Sequence, residues 1–172
     1  MSEALKQIIT EIQTTFRDQP DKAKVTFVSQ SRLQDGFHSE VALRDHTVTV
    51  DEPAELGGTD KGPNPVELVL ASLGSCQEIT YRAYAAALGI PLESVSVKLE
   101  GDMDLRGFFA VADDVRPGYQ AIRGTVELTS SASEEQLQTL REVVNAHCPV
   151  LDILTTPVPV ALELRITEAV TI

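Results

Sequence analysis

The stretch from Pro65 to Leu88, PVELVLASLGSCQEITYRAYAAAL, is apolar or small on nearly every face over its first half. Asn64 suits a helix N-cap, and Pro65 suits the first helical position, where its missing N–H costs nothing. Glu67 stands three residues after Asn64, so its carboxylate can reach back and close a capping box. Gly89 follows the last apolar residue and supplies a C-terminal stop. These signals predict one long helix over 65–88. A helix so uniformly apolar needs cover on several sides, so burial alone points to a tightly intertwined homodimer.

The flanking sequence predicts what surrounds this helix. Leu5, Ile8, Ile9, Ile12 and Phe16 recur at helical spacing over residues 3–17, with Pro20 beyond, which predicts an amphipathic surface helix. Between Lys24 and Val50, β-branched stretches such as VTFV and HTVTV flank Asp35-Gly36 and Asp45-His46, a pattern of three antiparallel strands joined by hairpins. Residues 52–64 hold three Gly and two Pro and read as an irregular loop. Pro91–Met103 and Ala121–Thr129 alternate apolar and polar residues, as half-buried strands do. Ser133 with Gln136 repeats the capping-box signal ahead of Leu137, Leu140, Val143 and Val144, predicting a second core helix that ends near Cys148-Pro149. The C-terminal VPVALELRI alternates again and reads as a last strand, with Pro157 and Pro159 favouring a strand start or a sheet edge. The fold class is α+β, with antiparallel strands covering two central helices.

Composition narrows the function. The 172 residues, 42% hydrophobic, can bury a core and fall within the usual size of one domain. A net charge of -12 repels phosphate backbones and anionic headgroups, so neither nucleic acid nor membrane is an expected partner. No secretory signal and no bilayer-length apolar run is visible, so a cytoplasmic protein is expected. Two cysteines are too few for a disulfide scaffold, and in a reducing compartment their pairing would be catalytic or transient. There is no CxxC, and His38, His46 and His147 are scattered, so no metal is expected. No cofactor is implied.

Three runs carry a resemblance: DEPAELGGTDKGPNPVELVLASLGSC, then HCPV some seventy positions on, then TTPVPV. They resemble the OsmC-like family of osmotically inducible and organic hydroperoxide resistance proteins, and DLRGFFAVADDVRPGYQAIRGTVEL is similar to one branch of it. The likeness runs from about Gln34 to the C-terminus. With the length of the chain it gives a single OsmC-like domain over residues 1–172, in which residues 1–20, outside the likeness, form an extra N-terminal surface helix. It also implies antiparallel sheets from both subunits wrapped around two long central helices of an intertwined homodimer, with equivalent sites at the interface.

The resemblance further implies that Cys76 is the peroxidatic thiol and Cys148 the resolving one. A thiolate attacks the distal oxygen of an organic hydroperoxide and is left as sulfenic acid, which the second thiol condenses into a disulfide for an external dithiol to reset. Cys76 lies beyond the first helical turn, where the macrodipole acts, so a thiolate there needs a nearby cation or hydrogen-bond donors. The family's peroxidases use an arginine from the early strands and a glutamate directly after the Asn-Pro pair. Here that position is Val66. Glu67 follows, turned by about 100°, and its capping role competes with a catalytic one. Arg32, just before the first hairpin turn, is the candidate arginine; His38 occupies a comparable strand position, and Arg106 and Arg116 are further candidates. For each arginine a solvated salt bridge is the competing reading. His147, beside Cys148, is read as a surface or capping residue, and Gly74 as one that permits close packing.

Two functions follow. One is a thiol-dependent peroxidase for organic hydroperoxides; the other, favoured by Val66, is a non-peroxidase small-molecule-binding or redox-sensing protein on the same scaffold. A sulfur-handling or thiol-transfer enzyme would also use both thiols.

Overall fold

The computed structural model describes residues 2–167; Met1 and residues 168–172 lie outside the described residues. The fold is α+β, with two small antiparallel sheets and five α-helices among the described residues. Helix α1 (Ser2–Asp18) packs on α2 (Pro65–Leu88). Leu5 and Ile9 are half-buried, whereas Ile8, Ile12 and Phe16 stay exposed.

The first sheet is β1 (Gln30–Leu33), β2 (Ser39–Leu43) and β3 (His46–Val50), paired in that order. Three strands were expected, but they are shorter than the pattern suggested. Val25–Val28 is irregular and Phe27 is 86% exposed, because no neighbouring strand offers it a hydrogen-bonding edge. Gly36 turns the first hairpin at φ +62°. The second turn is Arg44-Asp45 rather than Asp45-His46: Arg44 takes the left-handed conformation at φ +55°, and His46 already belongs to β3.

Helix α2 begins and ends as its caps dictate. The Asn64 side chain accepts from the Glu67 N–H, the Glu67 carboxylate accepts from the Asn64 N–H, and Gly89 closes the helix in the left-handed conformation. Within one chain its burial is confined to a stripe through Leu73, Gln77, Thr80, Tyr81 and Ala85. Ile79, on the opposite side, is 70% exposed. A Cβ on Gly74 would make only ordinary contact with Leu99, at 3.7 Å, so packing within the chain does not require glycine there.

Strands β4 (Ser94–Asp102) and β5 (Ala121–Thr129) form the second sheet, with Val97 opposite Val126, and β4 packs along α2. Between them lie the single turn α3 (Leu105–Phe108) and an irregular stretch. Helix α4 (Glu134–His147) starts at the Ser133/Gln136 capping box, and its Leu140 and Val144 join Tyr81, Ala85 and Ile90 in the core. A short helix the periodicity did not foretell, α5 (Pro149–Thr155), follows at once, because Pro149 fits a first helical position as well as it ends the preceding helix. The expected last strand does not form: residues 157–167 are irregular, and Leu162 is 93% exposed. Its alternation is that of a strand, but no sheet edge in the single chain receives it.

Candidate active site

Cys76 sits in the middle of α2 and Cys148 in the junction between α4 and α5, and folding brings their sulfurs to 3.3 Å. Two elements produce this approach. Helix α4 packs on α2 through Leu140 and Val144, and the break at Cys148-Pro149 turns the Cys148 side chain back onto α2. Both thiols are reduced, Cys76 half-buried and Cys148 only 1% exposed. A disulfide needs an S–S separation of about 2.05 Å, so the pair has little further to close.

The surroundings of the two sulfurs differ. Burial pushes the Cys148 thiol up, and the adjacent Cys76 sulfur adds to this; the Leu151 N–H and the Gln77 side chain act the other way. Gln77 is itself buried, one residue after Cys76 on α2. The Thr80 hydroxyl donates to the Cys76 carbonyl at 2.7 Å. A cavity of about 590 Å³ opens between α2, α4 and the β4–β5 sheet; Gln77, the residue after Cys76, and Leu151, three after Cys148, are among the residues that line it. Leu73, Leu99 and Leu128 make it largely apolar, and Arg141 brings a cation to it.

The structure holds the other candidates elsewhere. Glu67 is committed to its capping box, roughly 13 Å along the helix axis from Cys76. The Val66 carbonyl accepts from the Tyr119 hydroxyl at 2.7 Å. Arg106 is clamped by the Asp104 carboxylate, which raises its already high pKa and lowers that of Asp104. His38 stands at 2.8 Å from the Glu40 carboxylate, and with Thr49 it holds Glu40 below the usual carboxylate range. Arg32 is exposed on β1, opposite Glu40. His147 stacks on Tyr84 with ring centroids 5.3 Å apart and is exposed. Gln77, buried and lining the cavity, was not singled out from the sequence. Its signal was an amide at the centre of the stripe Leu73, Gln77, Tyr81, spaced at i, i+4, i+8 on the buried face.

Among the described residues no three His, Cys, Asp or Glu side chains converge to hold a metal ion, and no helix is long and apolar enough to cross a membrane.

The family model for OsmC-like protein matches residues 58–163, a span that contains both cysteines. No curated protein matches the chain in sequence. Among solved structures, an OsmC-like protein from Mycoplasma pneumoniae is similar with a TM-score of 0.67 at 19% identity, over 78% of this chain and 90% of that one. An organic hydroperoxide resistance protein OsmC from Legionella pneumophila has a TM-score of 0.59 at 21% identity, over 77% and 90%. A putative organic hydroperoxide resistance protein from Vibrio cholerae, with captopril in one of its active sites, has a TM-score of 0.57 at 17% identity, over 78% and 88%.

Proposed function

Because the chain belongs to the OsmC-like protein family, we propose that it is a cytosolic thiol-dependent peroxidase that reduces organic hydroperoxides through Cys76 and Cys148. The observation that carries this reading is the 3.3 Å approach of two reduced sulfurs, Cys76 on the central helix and Cys148 at the junction of α4 and α5. The more accessible thiol, Cys76, attacks the distal hydroperoxide oxygen as thiolate. The O–O bond breaks, the alcohol leaves with the electron pair and a proton, and Cys76 becomes sulfenic acid. Cys148 then attacks the Cys76 sulfur, water leaves, and a disulfide remains. An external dithiol restores both thiols and is itself oxidised.

A cation near Cys76 would complete the site. In an intertwined homodimer the β1–β3 sheet of a second copy, which carries Arg32 and His38, is the element free to supply it. Among the described residues that sheet makes no extended contact with the α-helices of its own chain.

A second reading has its own support. With Val66 at the position of the family's glutamate and Glu67 held in the cap, the chain lacks an obvious carboxylate partner for that cation. A redox sensor on the same scaffold would still form the disulfide, but slowly.

Turnover with an alkyl hydroperoxide and a dithiol decides between them. The peroxidase reading expects rapid consumption, abolished in Cys76→Ser; in a parallel reaction without the dithiol, Cys148→Ser is expected to consume about one equivalent of hydroperoxide and stop. Wild-type consumption no faster than free thiol would sink it and leave the sensing role.

A further inference from the structure

We propose that the cavity between α2, α4 and the β4–β5 sheet is a binding site for an amphiphilic monocarboxylate of the medium-chain fatty acid class, with Arg141 receiving the head and the sheet face receiving the tail. Neither cysteine lines this cavity. The site is therefore separate from the thiol pair, and it stands whether those thiols reduce peroxides or sense them.

The polar wall comes from two helices. On α2, Gln77 and Tyr81 stand four residues apart on one face and are 6% and 2% exposed. Neither side chain has a hydrogen-bond partner among the described residues, yet none of the buried side-chain nitrogens or oxygens there is wholly enclosed without one. Their polar ends therefore reach open space, and the cavity that both residues line is that space. On α4, Gln138, Arg141 and Asn145 recur at helical spacing and line the same cavity.

Arg141 is the one charged residue on this lining among the described residues. Its helix neighbours three and four positions away are Leu137, Gln138, Val144 and Asn145, so α4 offers it no ion pair. The nearby acids of the sheet do not serve it either. Glu100 and Glu127 alternate with the lining residues and belong to the other face, where Glu100 pairs with Lys98 and Arg123.

The facing wall is apolar: Val97 lies opposite Val126 across the sheet, with Leu99 and Leu128 beside them. Ile79 lies two residues beyond Gln77, about 200° around α2, so the cavity is on the side of the helix away from that exposed face. Its volume of about 590 Å³ falls within the range of about 300–1,000 Å³ that holds small molecules. One cation, amide and hydroxyl groups beside it and a hydrocarbon wall match one carboxylate on an alkyl chain. A dianionic head would leave a charge unmatched in a chain of net charge -12.

The test is equilibrium dialysis of the reduced full-length chain against radiolabelled decanoate, with unlabelled decanol, butyrate and decyl phosphate as competitors. No peroxide is present, so failure of the peroxidase reading leaves the outcome untouched. Saturable uptake of one decanoate per chain is expected, with each competitor at least about tenfold weaker than unlabelled decanoate. Arg141→Gln, a change at an exposed position, is expected to weaken decanoate about tenfold or more, the scale of a lost hydrogen bond to a charged group, and to abolish its advantage over decanol. Arg141→Lys keeps the charge without the planar fork and should fall between the two. Val126→Trp fills the space beside the sheet and should weaken decanoate while leaving the head donors in place. Absence of saturable uptake at millimolar decanoate overturns the proposal, whether a second copy closes the cavity or water alone fills it. Decanol competing as well as decanoate, Arg141→Gln within about twofold of wild type, or Val126→Trp without effect would each overturn it too.

Discussion

Asp51 is only 1% exposed, yet its carboxylate accepts from the backbone N–H groups of Glu52, Thr59 and Lys61 and from the Thr59 hydroxyl at 2.6 Å. Those donors draw the loop before α2 around one charge, and the Thr59 hydroxyl leads them in holding Asp51 down to about 2, against the opposing effect of burial. A carboxyl depressed in the folded state adds stability that is fully present above its unfolded value of 3.8 and is lost as pH falls toward about 2. Thermal melts across that window are expected to show the wild type losing stability with acid. Asp51→Asn should melt lower at neutral pH and lose less between about pH 4 and about pH 2; equal acid slopes would assign the sensitivity to another group. None of this was legible in the run DEPAELGGTD. Charged residues are mostly exposed, and only the folded loop reveals that one of several acids there is enclosed.

Local signals were legible where they are complete in themselves. The Asn64/Glu67 and Ser133/Gln136 capping boxes and the alternation of β4 and β5 each need only neighbours in the chain or one adjacent strand. The segment between β4 and β5 was not legible, because its order comes from a distant contact. The Tyr119 hydroxyl reaches the Val66 carbonyl in the first turn of α2, and the Tyr119 ring lies over Gly101 so closely that a Cβ there would stand 2.4 Å from it. Gly101→Ala must therefore displace the ring and is expected to cost about 2 kcal/mol, as overpacking does. Tyr119→Phe, which loses one hydrogen bond and keeps the packing, is expected to cost about 1 kcal/mol. Urea unfolding of both variants checks the order. A Gly101→Ala cost no greater than that of Tyr119→Phe would show that the ring is free to move aside.

At the scale of the whole molecule, both cysteines were legible because a motif surrounds each. The choice among Arg32, His38 and Arg106 was not, because no comparable motif surrounds any of them. The missing strand tells the same story: Val158, Val160, Leu162, Leu164 and Ile166 all stand exposed on alternate residues, as do Val25 and Phe27 near the other end and Ile79 on α2. Isolated exposed apolar residues are ordinary, but a strand-patterned run of them is surface waiting for cover. A second copy would supply that cover without any new sequence, since each chain offers an exposed strand-patterned segment and an open face of α2. We therefore expect a particle of twice 18.6 kDa in sedimentation equilibrium. Leu162→Asp combined with Leu164→Asp should remove on the order of 2 kcal/mol of burial per side chain and shift the equilibrium toward monomer. Peroxide turnover should fall with it, if the β1–β3 sheet of a second copy completes the site. A wild type that sediments as a monomer at micromolar concentration would refute the intertwined dimer. A monomeric double variant that keeps full turnover would instead place the activating cation within the single chain, with Arg141, at the edge of the cavity, the first residue to substitute.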